Sequence, residues 1–153
     1  MALTQTEFDA IISDASKKIV GDIEWVEDED HSSSVEFRAE IESANGSPLF
    51  VRGSFNRAIG TLTYAIISKL DGRLYALDLG KDHRNADTGE LVGEKHKHRW
   101  TEAYKDKIAY VPSDITEPAT NPATIWHQFC NEAKLTHDGE LRAIPPLQED
   151  LFS

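Results

Sequence analysis

Residues 34–55 read SVEFRAEIESANGSPLFVRGSF, and two features in them decide the kind of fold. Val35, Phe37, Ala39 and Ile41 alternate with Glu36, Arg38 and Glu40. Successive side chains of a strand point to opposite faces, so this pattern predicts a strand buried on one face and wet on the other. Asn45-Gly46 then marks a reversal, because both residue types tolerate the left-handed backbone that hairpin turns need. A second strand-like run, LFVRGSF, follows. The expectation is an antiparallel sheet built from hairpins.

Further strands lie on either side. GTLTYAIIS (60–68) leads to an Asp71-Gly72 turn and then RLYALDLG (73–80). In that run Leu74 and Ala76 alternate with Tyr75, Leu77 and Leu79, so both faces are apolar and a central place in the sheet is predicted. A polar turn region, KDHRNADTGELVGE (81–94), precedes KHKHRW (95–100), and KIAYVP (107–112) supplies a last strand. Upstream, DIEWVE (22–27) reads as a strand that turns Ile23 and Trp25 inward. The sheet is expected over about residues 23–111, with about six or seven strands.

Two helices flank this region. LTQTEFDAIISDASKKI predicts one over about 4–18: Thr4 and Glu7 form a capping-box pattern, and Phe8, Ile11, Ile12 and Ala15 make an apolar stripe. Lys17 and Lys18 suit the negative end of its dipole. A second helix is predicted over about 122–134, with Asn121 as N-cap, Pro122 at the first helical position, and Ile125, Trp126, Phe129, Cys130 and Ala133 as its stripe. The tail, 142–153, reads as extended, with Leu151 and Phe152 available to dock. The order helix, meander, helix predicts a single α+β domain with both helices packed on one face of the sheet.

Composition limits what such a domain does. The chain has 153 residues, 39% of them hydrophobic, which suits one core. Its 27 acidic residues outweigh 16 Lys and Arg, for a net charge of −11. Phosphate-gripping proteins carry a basic footprint, so direct nucleic-acid binding is not expected. An acidic surface favours positively charged partners instead. No apolar run approaches the roughly 20 residues of a membrane span. MALTQTEF lacks the basic start and apolar stretch of a signal peptide, and the single Cys130 has no internal partner. A cytoplasmic location is expected.

The region 74–112 resembles a family of small bacterial and prophage domains in which a strand ending Leu-Asp enters a His-x-Asn-x-Asp-x-Gly turn, followed by a His-x-His strand and a segment ending Ala-Tyr and Pro. The matching residues are Leu77, Asp78, His83, Asn85, Asp87, Gly89, His96, His98, Ala109, Tyr110 and Pro112. Ala86 stands where that pattern has Pro, and Gly80-Lys81-Asp82 replaces a Gly-Pro. The resemblance implies a phage-like origin and carries no activity.

His96 and His98 are two residues apart, so on a strand they share a face, with Lys95, Lys97 and Arg99 on the other. With His83 they supply three imidazoles, the ligand count of a catalytic zinc site, and Asp78, Asp82 and Asp87 are nearby acceptors. His-x-His is also common on ordinary surface strands, so no metal and no cofactor are expected. A second chemistry is metal-free RNA cleavage, with His83, His96 and His98 as general acid and base and Arg84 or Arg99 against the charged transition state. The third option is a contact surface. EWVEDEDH (24–31) places Glu27, Asp28, Glu29 and Asp30 around Trp25, an aromatic anchor with an acidic rim. No phosphate-cradling glycine loop, nucleophile elbow or cysteine pair is present.

Together these features favour a non-enzymatic protein of a phage or mobile element. It is expected to inhibit, by contact, a host protein or ribonucleoprotein defence complex with a basic surface, as anti-CRISPR proteins do. The alternative is a histidine-dependent ribonuclease toxin or phosphodiesterase of a toxin–antitoxin pair. Oligomeric state is not legible in the sequence.

Overall fold

The computed structural model describes residues 2–147. Glu149, Asp150, Leu151 and Phe152 of the predicted tail lie outside the described residues. The alternating run forms β3 (Ser34–Ile41), which pairs antiparallel with β4 (Leu49–Asn56) from Ser34↔Asn56 to Ile41↔Leu49. The reversal is a wide loop, in which the Asn45 side chain accepts hydrogen bonds from the Ser47 amide and the Ser43 hydroxyl. β5 (Thr61–Ser68), β6 (Gly72–Leu79), β7 (Lys95–Arg99) and β8 (Ala109–Tyr110) continue the meander, and β2 (Val26–Glu27) borders β3. Among the described residues this gives a seven-stranded antiparallel sheet whose spatial order follows the chain. β6 is buried from Leu74 to Leu79, as two apolar faces require.

One face carries the core. Val35, Phe37, Val51, Leu62, Tyr64, Tyr75 and Leu77 lie beneath α2 (Pro122–Glu132), which lays Ile125, Trp126 and Phe129 on them. Phe37 meets Trp126 at 5.7 Å and Tyr75 meets Phe129 at 5.3 Å between ring centroids. Gly53 makes room for this cluster: a Cβ there would come within 2.0 Å of the Phe37 ring. α1 (Gln5–Ser13) packs on the same face, with Phe8 5.5 Å from the Trp100 ring and under the Arg99 guanidinium. The molecule is therefore the predicted α+β domain, with both helices on one face of the antiparallel sheet.

Local signals are met in part. The Thr4–Glu7 capping box is present, with both bonds made. Asn121 occupies the N-cap, but its side chain bonds Glu117 and Thr124 rather than helix amides. α1 ends at Ser13 instead of near residue 18. Lys17 turns back over its end and donates to the carbonyls of Ile11, Ile12 and Asp14 at 2.8, 3.0 and 2.6 Å, satisfying acceptors that a helix leaves unpaired. That early stop frees β1 (Lys18–Val20) to pair in parallel with β9 (Thr136–Asp138), a ribbon not anticipated above.

Trp25 requires a correction. It is not an exposed anchor but a core residue, 7% exposed, standing edge-on to Phe37 at 4.9 Å. The strand there is only Val26–Glu27, and Trp25, just before it, turns onto the core face where Phe37 and Tyr64 receive it. Among the described residues, no helix is long and apolar enough to cross a membrane.

Candidate functional site

The sheet face away from the helices carries the polar residues. Alternation alone sets this up: Asp78 sits opposite His96 and Ala76 opposite His98 in the β6–β7 register, so the carboxylate and both imidazoles share a face. Lys97 and Arg99 point to the helix side. Loop 80–94 then arches over the histidines. The Asn85 side chain bonds both the amide and the carbonyl of Ala109 at 2.8 Å, replacing the next strand beyond β8. His83 bonds the Lys107 carbonyl through Nε2 at 2.7 Å, and Asp82 Oδ1 accepts from the amides of His83 and Gly93. Beneath this cover His96 and His98 are buried.

The cluster has a defined internal geometry. Nδ1 of His96 faces the Gly93 carbonyl and Nδ1 of His98 faces the Asp106 carbonyl, each at 2.8 Å. The Nε2 atoms converge on Asp78 Oδ2 at 3.3 and 3.2 Å. The other oxygen, Oδ1, accepts from the Thr63 hydroxyl at 2.6 Å. The ring of His83 lies 4.6 Å from that of His98 and 5.7 Å from that of His96. Burial alone would raise the pKa of Asp78, but the adjoining His96 and His98 imidazoles and the Thr63 hydroxyl outweigh it and hold the carboxyl far below the usual carboxylate range. For His96 burial acts downward, and the Asp78 carboxylate and Gly93 carbonyl overcome it to give a net upward shift.

The structure thus brings His83, His96 and His98 together. It does not bring Arg99, which lies over the Phe8 ring on the opposite face and cannot reach anything bound beside the histidines. That part of the ribonuclease constellation is corrected. Arg73 takes the position instead, with Nη1 3.9 Å from Asp78 and Nε bonded to Asp106 at 2.9 Å. Strand parity hides it, because a register shift between Ile66 and Ile67 interrupts the simple alternation of the β5–β6 pair.

Of the acidic run, Glu27 binds Arg57, which also donates to the carbonyls of Ser33 and Pro145. Asp28 accepts from the Asp30 amide at 3.0 Å. Glu29 and Asp30 are exposed.

A second polar cluster lies on the helix side and had no sequence signal beyond strand parity. Lys97 is fully buried and donates to Asp114 at 2.6 Å and Glu132 at 2.7 Å. Tyr75 and Tyr110 also donate to Glu132, at 2.6 and 2.8 Å. Burial pushes Asp114 up, while Glu132, despite burial, is held down to about 2 by Lys97 and the tyrosine hydroxyls.

The model of a family of unknown function (DUF6978) matches residues 3–135. The chain belongs to that family. The matched span takes in Asp78, His83, His96 and His98, and the description of DUF6978 assigns them no activity. No curated protein and no solved structure matches the chain.

Proposed function

We propose that the protein is a phage or mobile-element product that acts by contact, in the cytoplasm, as an inhibitor of a host nucleic-acid-handling defence complex. The observation that supports this is the acidic edge of the sheet. Glu24, Glu27, Glu29 and Asp30 are exposed around the two-residue strand β2, with Val26 exposed among them. Within this patch, and among the described residues, only Glu27 has a cationic partner. Carboxylates beside a short open edge suit a basic protein surface of the kind that itself holds nucleic acid, and they steer its approach. With Trp25 in the core, the apolar contact falls to Val26. The ribonuclease alternative is less favoured, because the imidazole nitrogens face Asp78 and backbone carbonyls, and Arg99 is on the other face.

The test is a titration of the purified protein against an assembled RNA-guided nuclease, scoring cleavage of target DNA. Inhibition should saturate near one protein per complex. Glu24→Lys, Glu29→Lys and Asp30→Lys together should slow association about tenfold or more and flatten its salt dependence, with thermal stability unchanged. Glu27 is left in place because it holds Arg57. Absence of inhibition, or complete inhibition far below equimolar amounts, sinks the contact reading. Cleavage of single-stranded RNA, lost in both His83→Ala and His96→Ala, would replace it with the toxin.

A further inference from the structure

We propose that Asp78, His96 and His98 form a binding site for one divalent transition-metal ion, zinc foremost, through Oδ2 and the two Nε2 atoms. Each Nδ1 faces a backbone carbonyl, which only accepts, so in the neutral imidazole the ring hydrogen sits on Nδ1. Each Nε2 is then a bare lone pair. Both Nε2 atoms lie close to one carboxylate oxygen, at 3.3 and 3.2 Å. Three acceptors at that spacing need positive charge among them.

Two protons would supply it by turning both rings into imidazolium. The Asp78 carboxylate draws the His96 ring toward its protonated form, but two geometric and electrostatic observations weigh against protonating both rings. His96 Nε2 is fully enclosed and makes no hydrogen bond, since it approaches Asp78 without aiming along one. Two imidazolium ions against one carboxylate also leave a surplus charge under protein cover, which is costly. Arg73, the nearest other cation, is itself held by Asp106. A single metal ion replaces both protons and takes up the orphaned Nε2.

The dimensions fit. Donors at roughly 2.0–2.1 Å from a tetrahedral zinc ion lie about 3.3–3.4 Å from one another. The three donor atoms here lie within 4.8 Å of one another, and the two nitrogen–oxygen separations already match. The surroundings match as well. Metal-bound histidines usually donate their second N–H to a carbonyl or carboxylate, and ligating carboxylates are themselves hydrogen-bonded. Gly93, Asp106 and Thr63 do this here. Because Gly93 and Asp106 belong to the two covering loops, an ion at this point would fasten loops 80–94 and 100–108 to the sheet. His83 is left out of the ligand set, since its Nε2 is engaged by the Lys107 carbonyl. The fourth position of the ion is then open to water.

The experiment uses the full chain, stripped with a chelator and titrated with Zn²⁺ in competition with a chromophoric chelator, and separately with Co²⁺ followed by its visible absorption. One ion per chain should bind, with the intense Co²⁺ bands of a tetrahedral site. His96→Ala, His98→Ala and Asp78→Asn should each weaken binding tenfold or more, whereas His31→Ala and His127→Ala, which alter exposed rings, should not. Circular dichroism establishes that each variant is folded, and His98→Gln replaces any that is not. Failure of the wild-type chain to take up stoichiometric zinc at micromolar concentration overturns the site. Uptake that survives in the His96→Ala/His98→Ala double variant, or falls equally in the two surface controls, does so too.

Discussion

At the residue scale, the fold turns on side chains whose polarity disagrees with their burial. Lys97 is an ammonium group in the core, tolerable because Asp114 and Glu132 both reach it. Glu132 is the more acidic partner. Its ionisation is easier in the folded than in the unfolded chain, so the stability it contributes is present above about pH 4.5 and lost as pH falls toward 2. Asp114 is shifted the other way and takes a proton first, leaving the Lys97–Glu132 pair intact at mildly acid pH. Glu132→Gln should therefore be less stable than wild type by about 1–2 kcal/mol at pH 7, a figure reduced for partial solvent screening. Urea titrations at pH 7, 4 and 2.5 should show the gap closing; a gap independent of pH would refute this account. Trp25 makes the simpler case. Trp25→Ala should cost about 3–5 kcal/mol, the range for a buried aromatic, while leaving association rates with a basic partner unchanged.

At the element scale, the strands and helices were largely legible, and the reasons are local. Alternation in residues 34–41 and 73–79 fixed both strands and their places, and the stripe Ile125, Trp126, Phe129, Cys130 and Ala133 is buried as read. The proximity of His96 and His98 followed from their i, i+2 spacing, and the antiparallel register supplied Asp78. What escaped were features fixed by long-range pairing. β1 and β9 are three residues each and have meaning only together. Alternation turned Trp25 inward while the acidic residues after it suggested an exposed anchor, and only the distant partners Phe37 and Tyr64 decide for the core. Arg73 escaped because a register irregularity is invisible to strand parity, whereas parity itself already set Arg99 on the face opposite the histidines. The covering loop offers a test at this scale. Asn85→Ala removes both bonds to Ala109, so hydrogen exchange at the Ala109 amide and across 80–94 should quicken about tenfold or more, with β3–β5 unaffected. Unchanged exchange would show that the loop is held by other contacts.

At the scale of the whole molecule, the ribbon of β1 and β9 matters most. Asp22 and Glu140 are hydrogen-bonded across 118 residues of chain. His137 locks the same junction, accepting from the Trp126 indole at 3.1 Å and bonding the Gly21 carbonyl at 2.8 Å. His137→Ala leaves the Trp126 N–H buried without its acceptor and should cost about 1–3 kcal/mol in thermal or urea unfolding. A neutral result would mean that water takes over both bonds.

The ribbon also sets a timetable for synthesis. Each hairpin of the meander closes over a short distance and can form soon after its second strand leaves the ribosome. Ile19 and Ile23 emerge early and must wait, uncovered, until residues 136–141 follow. Until then the nascent chain is an unclasped sheet with an apolar flank open to chaperones, proteases or a second nascent copy. Completion is then abrupt, because one three-residue strand shuts that flank. Folding should accordingly be slower than the nearest-neighbour meander alone implies, with the last phase governed by the arrival of residues 136–141.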